Sequence, residues 1–262
     1  MKRLMMDRKL SKQIKTILLV VLISTFPFSV PAVEKVVVLR CSNILLDGKL
    51  NEPEWQTTTA YTLVPGKPFS WGRPIIERTG NAKKVSEAGT VRFLYDENYL
   101  YIGLMMTDSD LVGEAVADEE RLYMQGDCIE IFIHPRKQTY YWELYAAINE
   151  KKTAFFFPGR GRLNLPSNSA YACNDMLVRS TLNGSLNKWQ DRDKGWNVEI
   201  AVPISSLTKF GAKFDRSEDW SILIVRYNYS RYLPIWEISC YPEMTSDNPH
   251  LYEDYITMDF EN

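Results

Sequence analysis

Apolar and polar residues alternate along short stretches of the chain, and Gly, Pro, Asn or Asp residues separate these stretches. A two-residue period predicts β-strands, because successive side chains of a strand point to opposite faces. We expect strands at KVVVLRC, TVRFLYD, YLYIGLMMT, CIEIFIHP, YYWELYAAI, TAFFFPG, WNVEIAVP, WSILIVRYNYS and DYITMDF. Many short strands separated by turn residues are typical of sandwiches and barrels. We therefore predict an all-β fold, a β-sandwich of jelly-roll or immunoglobulin-like type.

A helical period is rare in this sequence. PISSLTKF predicts one or two helical turns after Pro203, and EAVADEERLYM is the other stretch where a short helix is expected. The polar residues 160–174 predict a long loop. No repeat and no low-complexity linker divides the chain, so we expect residues 33–262 to form a single domain.

The amino-terminal residues have the pattern of an export signal. Six basic residues precede the apolar run 17–28, namely Lys2, Arg3, Arg8, Lys9, Lys12 and Lys15. An apolar run of 12 residues after a basic segment is typical of a signal peptide, whereas a spanning helix needs about 18 or more. Val30 and Ala32 suit a cleavage site, so we expect residues 1–32 to be removed; an uncleaved amphipathic anchor is the alternative. The expected location is periplasmic, cell-surface or extracellular, with no stable membrane span after cleavage.

Removal of residues 1–32 leaves 230 residues with 25 basic and 32 acidic side chains, a formal charge of −7. Nucleic-acid binding depends on Lys and Arg that neutralise phosphates, and the remaining chain has no basic block. We therefore expect no nucleic-acid partner, and an anionic membrane surface is disfavoured too. The length is sufficient for one large β domain with its own core, without disulfide staples.

The cysteines leave two interpretations open. Cys41, Cys128, Cys173 and Cys240 allow three pairings if all are bridged, and an exported protein permits disulfides. Cys128 lies within the strand-like CIEIFI, however, where a buried free thiol fits equally well. The spacing matches no zinc motif.

The stretch GDCIEIFIHPRKQTYYWELYAAIN predicts a β-hairpin with PRKQ as its connection. With His134 opposite Thr139, the apolar side chains of both strands share one face. The same register places Glu130 opposite Glu143. Two like charges in that position are destabilising unless something compensates them.

Several arrangements would compensate this pair of carboxylates. A cation between them, a bound polyol that donates hydroxyls, or a nearby arginine such as Arg92 or Arg226 would each do so. Solvated or arginine-paired surface carboxylates are the plain alternative. Catalysis is a further use, because glycosidases place two carboxyl groups about 5 Å apart or somewhat farther. We expect Tyr141, Glu143 and Tyr145 to line a polar face on which the ligand or cation lies.

A second polar set occurs in ILIVRYNYSRYLPIWEIS, where strand alternation places Arg226 and Asn228 on one face. Their directional donors and the flat ring of Trp236 suit sugars, because hydroxyls bond to planar polar groups and C–H faces rest on aromatic rings. Trp71, in PGKPFSWGRP, is a candidate second ring because such loops expose side chains. For any single tryptophan, core packing is the alternative. Three others are expected in the core, Trp142, Trp196 and Trp220.

Six motifs occur in the order and spacing of a known family: LDGKLNEPEW, VRFLYDENYLYIGL, GDCIEIFIHP, YYWELYAAINEKKTAFF, GWNVEIAVPISSL and RYNYSRY. Together they resemble the carbohydrate-binding module family 9-like domains of secreted bacterial proteins, over nearly the whole chain after residue 32. The resemblance implies a β-sandwich that binds glycans, alone or attached to glycan-degrading enzymes. It also implies calcium ions that support the fold and two tryptophans that clamp a terminal sugar.

The resemblance extends to single residues. Asp127 and Glu130 match the acidic strand motif of the family, and Glu143 matches its paired strand. Asn228 and Arg231 match its Asn and Arg near the ligand end. The resemblance therefore implies a ligand site close to these last two residues.

The carboxy-terminal motif departs from the family. In place of the usual Trp-Ser-Pro near a His-containing loop, the chain has ISCYPEMTSDNPHLYEDY. Tyr241 stands where the Trp is expected, while Pro242 and His250 are kept. This motif therefore does not supply the second ring of a sugar clamp.

An acidic turn in TDSDL places Asp108 and Asp110 two residues apart at a strand end. Hard oxygen ligands clustered in a loop suit Ca²⁺, although the pattern is no EF-hand and a solvated acidic turn is the alternative. Together with the resemblance, it makes structural calcium at these two residues an expectation.

We predict a secreted, non-catalytic protein that binds poly- or oligosaccharides and supports polysaccharide degradation. The predicted ligand-binding residues are Trp71, Glu130, Tyr141, Glu143, Arg226, Asn228, Arg231 and Trp236. One alternative is a glycoside hydrolase that uses the Glu130–Glu143 pair. Another is a haem-binding sandwich domain with Met105, Met106 or His134 as axial ligands. The chain has no nucleophile elbow and no Gly-rich phosphate loop.

Overall fold

Thirteen strands join edge to edge in the described part of the chain, which in this computed structural model comprises residues 35–42, 44–67, 84–161 and 171–261. They are β1 (Lys35–Arg40), β2 (Tyr61–Thr62), β3 (Val64–Pro65), β4 (Gly89–Tyr95), β5 (Tyr99–Thr107), β6 (Cys128–Pro135), β7 (Tyr141–Ala147), β8 (Lys152–Phe157), β9 (Leu177–Asn183), β10 (Gly195–Pro203), β11 (Trp220–Asn228), β12 (Glu237–Tyr241) and β13 (Ile256–Glu261). Every expected stretch contains one of these strands, and the predicted all-β fold is confirmed.

The strands form two layers that are continuous at one seam. Neighbours follow the order β8, β7, β6, β11, β13, β1, β4, β5, β10 and β9, while β12 pairs with β11 and β3, and β2 pairs with β4. Most neighbours are antiparallel, but β1 runs parallel to both β13 and β4. The layer that ends in β8 therefore joins the layer that ends in β9 at β1.

The apolar core lies between the two layers. Phe93 and Ile102 from one layer are fully buried in it together with Ile131 and Ile224 from the other. The three tryptophans expected in the core, Trp142, Trp196 and Trp220, are at most 1% exposed. Burial of each large apolar side chain contributes roughly 1.5–3 kcal/mol, so packing between the layers is the main stabilising term.

A second apolar cluster covers the outer face of β6, β7 and β11. It includes Phe132, Tyr145 and Val225 from these strands, with Leu122 and Met244 from connecting segments. Antiparallel sheets commonly leave their outer face in water, whereas this one is buried on both sides. Any polar group on this outer face is therefore removed from solvent.

The helices are short. Helix α1 covers Pro53–Thr57, and α2 covers Ile204–Leu207 within the predicted PISSLTKF segment. The helix expected in residues 114–124 is wrong apart from a 3₁₀ turn at Leu122–Met124. Residues 116–121 are exposed or half-buried and mostly charged, so they offer no continuous apolar face that would pack a helix on the sheet.

All four cysteines are buried free thiols, so the structure agrees with the interpretation that they are unpaired rather than bridged. Burial raises the pKa of Cys41 to about 12 and that of Cys240 to about 11. These thiols are therefore weak nucleophiles near neutral pH.

The described residues between 35 and 261 belong to one compact unit. Among the residues that the structure describes, we find no helix with the length and apolar character needed to cross a membrane.

Candidate functional site

The β6–β7 hairpin forms as expected, but its register differs by two residues. Glu130 lies opposite Tyr145, and Glu143 lies opposite Phe132, so the predicted cross-strand pair of glutamates is wrong. The connection is longer than PRKQ because β7 begins only at Tyr141. An even shift keeps every side chain on its predicted face.

The two glutamates still meet, as diagonal neighbours on the buried outer face. Their carboxyl groups hydrogen-bond to each other, and the Tyr145 hydroxyl lies 2.6 Å from Glu143 Oε1 and also contacts Glu130. The Tyr227 hydroxyl donates to Glu130 Oε2 at 2.9 Å. Burial first, and the charge of Glu143 second, raise the pKa of Glu130 well above its usual value. Burial and the contact between the two carboxyl groups therefore favour protonation of the pair.

This arrangement gives no support to hydrolysis. Glu130 is 2% exposed and Glu143 8%, and their carboxyl groups are in direct contact. A glycosidase needs about 5 Å or more between its carboxyl groups, so that a sugar and a nucleophile fit between them. Hydrogen bonds with two tyrosine hydroxyls, together with the contact between the carboxyl groups, satisfy this pair.

Tyr141 closes the same face. Its ring is fully buried, and its hydroxyl lies 2.8 Å from His250 Nδ1 and accepts a hydrogen bond from Gly161 N at 3.1 Å. His250 Nε2 is 4.0 Å from Glu143 Oε2, and burial lowers the pKa of His250. Little of Tyr141 or Glu143 is accessible, so their ligand-binding role stays a prediction to which this geometry adds no support.

Arg226 lies on the opposite face of β11 from these glutamates. Its cross-strand partner is Ile129, whereas that of Glu130 is Val225. Arg226 therefore cannot compensate the glutamate pair, and this part of the hypothesis is wrong. Arg92 does not compensate it either, because its guanidinium contacts Thr90 Oγ1 at 3.4 Å and the sulfur of Met105 at 3.7 Å.

Arg226 is instead a buried connector of strand ends. Its side chain is wholly buried and donates to the carbonyl of Glu87 at 2.7 Å and to that of Thr107 at 2.8 Å. It also pairs with the Asp108 carboxylate at 3.1 Å. The guanidinium thus joins the segment before β4 to the end of β5, directly beneath a polar cluster.

That cluster, which we call the polar cup, consists of Glu87, Ser109, Asn228 and Ser230. Asn228 Nδ2 donates to Glu87 Oε2 at 2.8 Å, and Ser109 N donates to Glu87 Oε1 at 3.0 Å. The hydroxyls of Ser109 and Ser230 are 3.2 Å apart. Asn228 Oδ1 is buried and accepts no hydrogen bond from the described residues. An unpaired buried acceptor is costly, so a ligand donor at this atom would be stabilising.

The polar cup forms because three strands end or begin at one edge of the sandwich. Glu87 precedes β4, Ser109 follows β5, and Asn228 is the last residue of β11. Glu237 of β12, the cross-strand partner of Asn228, accepts hydrogen bonds from Ser86 N at 2.7 Å and Glu87 N at 3.2 Å. Glu87 belongs to no recognised motif, and its position just before a strand is the only signal that the sequence offers for it.

The two aspartates of the predicted calcium site are each paired with an arginine. Arg226 neutralises Asp108, and Arg231 binds Asp110 through its backbone N at 2.8 Å and through its side chain. Burial, opposed by Arg226, raises the pKa of Asp108 to about 6. Across the described residues no three His, Cys, Asp or Glu side chains are grouped as a metal site would require. Calcium binding stays a prediction, and an ion here would compete with two guanidinium groups.

The predicted aromatic rings do not meet at the polar cup. Trp236 stacks on Tyr227 with 6.0 Å between ring centroids and on Tyr229 with 5.9 Å, on the face opposite Asn228. Trp71 lies outside the described residues. The sequence interpretation missed two exposed rings: Tyr232, 45% exposed and joined to the cup through Ser230, and Trp189, 73% exposed in the connection between β9 and β10.

The proposed haem ligands lie apart. Met106 packs in the core between the layers, and its neighbour Met105 is 41% exposed. His134 stacks on Tyr252 with 4.4 Å between ring centroids, on the outer side of the other layer. The structure therefore brings no two of these side chains together for axial ligation.

Comparisons with known proteins agree with the fold. The model of the carbohydrate family 9 binding domain-like family matches residues 46–216. A structure described as a candidate carbohydrate-binding protein from Bacteroides uniformis matches with a TM-score of 0.61 at 13% identity, over 88% of this chain and 100% of that chain.

Two structures of a carbohydrate binding module family 9 from Caldicellulosiruptor kristjanssonii also match, each with a TM-score of 0.53 at 12% identity. The complex with cellotriose aligns over 87% of this chain and 95% of that chain, and the complex with glucose over 87% and 96%. No curated protein gives a significant match. Since the family model covers more than half of the sequence, the chain belongs to the carbohydrate family 9 binding domain-like family.

Proposed function

We propose that this protein is a non-catalytic glycan-binding protein and that its polar cup holds a sugar unit. The observation that carries the proposal is the unpaired, buried Oδ1 of Asn228 beside the Glu87 carboxylate and the hydroxyls of Ser109 and Ser230. A sugar presents several hydroxyls on one ring, each able to donate and accept. One of them would donate to Asn228 Oδ1 while others exchange hydrogen bonds with the serines.

The family supports the ligand class. Its structures from Caldicellulosiruptor kristjanssonii were determined with cellotriose and with glucose, which are sugars of the kind a polar cup would accept. For the present chain we propose that the ligand is a poly- or oligosaccharide. The sealed Glu130–Glu143 pair favours binding without turnover.

We further propose that the chain is exported and works beside glycan-degrading enzymes. The basic segment and short apolar run at the amino terminus support export. Binding without hydrolysis keeps a partner enzyme near its substrate by raising its effective concentration. Structural calcium near Asp108 and Asp110, and a stacking role for Trp71, belong to the same proposal.

The test begins with a glycan array on residues 33–262, run with calcium and with a chelator, followed by titration calorimetry on each hit. Glu87→Gln and Ser230→Ala are the cup variants, the second being the milder change. Glu130→Gln is the matched control because it makes the same carboxylate-to-amide change on the other face of the sheet. Thermal unfolding of each variant checks that it is folded.

We expect Glu87→Gln to weaken binding at least about tenfold, since a lost charge-assisted hydrogen bond costs about 1.5–3 kcal/mol. Ser230→Ala should weaken it by a smaller factor, and Glu130→Gln should bind like the parent protein. Equal affinity for both folded cup variants and the parent would refute the site. If no glycan on the array binds, glycan binding is refuted. If the parent protein releases reducing sugar and Glu130→Gln does not, the protein is a hydrolase.

A further inference from the structure

Arg192, Arg231 and Tyr232 form a cationic aromatic surface that adjoins the polar cup, and the exposed Trp189 lies three positions before Arg192 in the chain. We call it the arginine–tyrosine surface. The Cζ atoms of Arg192 and Arg231 each lie 4.6 Å from the centroid of the Tyr232 ring. Contacts at this distance between a guanidinium and an aromatic ring are attractive and orient the side chains. The four residues come from two segments, the β9–β10 connection and the stretch after β11.

Hydrogen bonds join this surface to the polar cup. Tyr232 N donates to Ser230 Oγ at 3.3 Å, and the Tyr232 hydroxyl donates to the Asp191 carbonyl at 3.1 Å. The Arg231 guanidinium also donates to that carbonyl. A glycan held by Ser230 would therefore extend directly over Tyr232 and its two arginines.

The two arginines differ in whether their guanidinium groups are free to bind a ligand. Arg231 is paired with Asp110 and donates to Asp191, so its charge is balanced and it positions Tyr232. Arg192 is exposed, and its ring contact with Tyr232 holds it without an ion pair to any carboxylate of the described residues. Its guanidinium donors therefore face solvent in a fixed orientation.

The nearby carboxylates do not cancel this charge. Asp193 is buried, and its carboxylate accepts hydrogen bonds from Leu111 N at 2.8 Å and Ser185 N at 2.7 Å. The half-buried Asp191 is the other acidic residue of the connection, and its Oδ1 is enclosed. Exposed Lys188 and Lys194 flank Arg192 in the chain, so the accessible charges of this connection are mainly positive.

Trp189 supplies a ring next to this charge. It is 73% exposed, which is unusual for so large an apolar side chain in a folded domain. Two residues separate it from Arg192, so their Cα atoms are at most about 10 Å apart. At this spacing along the chain, one glycan can contact both the indole and the guanidinium.

We infer that the protein selects glycans with anionic sugar units, whose carboxylate or sulfate group binds Arg192 while a neighbouring ring stacks on Trp189. A planar guanidinium binds either oxyanion through two parallel hydrogen bonds, and a neutral sugar offers no such partner. This inference rests on the proposed function, because the polar cup supplies the contacts that any glycan would make.

The test compares three oligosaccharide probes by calorimetry: a uronate oligomer, the same oligomer with its carboxyl groups reduced to alcohols, and a sulfated galactan oligomer. Arg192→Gln is the main variant. Arg40→Gln is the matched control, because it removes the same charge from an exposed pair with Glu97 elsewhere on the surface. Trp189→Ala tests the ring.

We expect the parent protein to bind at least one anionic probe about tenfold or more tightly than the reduced probe, and the preference between uronate and sulfate identifies the anion. Arg192→Gln should abolish this preference while it leaves affinity for the reduced probe unchanged. Arg40→Gln should keep the preference. Trp189→Ala should weaken all probes that bind.

Two outcomes would overturn the inference. Equal affinity of the parent protein for the reduced and anionic probes would do so, even though the proposed glycan binding would stand. An equal loss in Arg40→Gln and Arg192→Gln would show general charge attraction rather than a site. Failure of every probe and of the neutral glycan array would instead refute the proposed function itself.

Discussion

Arg226 and Asp108 form an ion pair with 3.1 Å between Nη2 and Oδ2, and neither side chain is exposed to solvent. The guanidinium also bonds two backbone carbonyls, so it holds the ends of separate strands together below the polar cup. A buried pair of this kind is satisfied only while both partners are present.

Replacement of Arg226 by Met should destabilise the protein strongly. The change leaves the Asp108 carboxyl and two carbonyls without their donor, and breaking a buried pair costs about 3–5 kcal/mol. Urea unfolding measures the difference. Arg231→Met is the control, because its pair with Asp110 is partly exposed and should cost clearly less. A loss below about 1 kcal/mol in Arg226→Met would show that the pair is not structural.

Replacement of Glu130 by Gln should stabilise the protein at neutral pH. The pKa of Glu130 is raised in the folded state above its usual 4.5, so its contribution to stability is fully present below that pH. It is lost as pH rises through the folded pKa, because the folded protein then gives up a tightly held proton. Gln does not titrate, and its side-chain oxygen can still accept the hydrogen bond from the Tyr227 hydroxyl.

The free energy of unfolding of Glu130→Gln should therefore gain on that of the parent protein as pH rises above about 4.5. Chemical unfolding at several pH values checks this. A constant difference over that range would mean that Glu130 keeps one protonation state in both forms.

The cysteines should be unreactive in the folded protein. All four are buried free thiols, and burial raises the pKa of Cys41 to about 12. A water-soluble aromatic disulfide reagent should therefore release no colour from the native protein and four equivalents after denaturation without reductant. Fewer than four equivalents in the denatured state would indicate disulfides.

Replacement of Gly195 by Ala should be far more harmful than the same change at Gly211. Both residues have positive φ, 147° and 94°. A Cβ at Gly195 would lie 2.0 Å from the Met106 carbonyl oxygen, while one at Gly211 would meet nothing within 4 Å. We expect roughly 3 kcal/mol or more at Gly195 and about 1 kcal/mol at Gly211, measured by urea unfolding. Equal losses would show that backbone strain, not the clash with β5, determines both.

Alternation and turn residues predicted the long strands well. β5 and β6 match their expected stretches residue for residue, because each carries a continuous apolar set that must face a core. Four strands were missed, the two-residue strands β2 and β3 and the longer β9 and β12. β9 lies at the edge of the sheet, and only Val178 of its seven residues is buried, so the alternating pattern of this half-covered strand is weak.

The site was harder to predict because its residues come together only through the topology. Asn228 was identified from the alternation of β11, but Glu87 and Ser109 reach it from segments more than a hundred residues away. The Glu130–Glu143 pair shows a second limit. The pattern assigned both side chains to the correct face, yet a two-residue error in register turned a hydrogen-bonded neighbour pair into an apparent facing pair.

The parallel pairing of β1 with β13 has a consequence for the order of assembly. Val36 pairs with Met258, so the strand that joins the two layers is completed by the last strand of the chain. Contacts between such distant positions form slowly, because a long loop must close first. Until β13 is synthesised, β1 therefore lacks the strand that links it to β11. Pairing of β13 with both β1 and β11 is therefore a late step in folding.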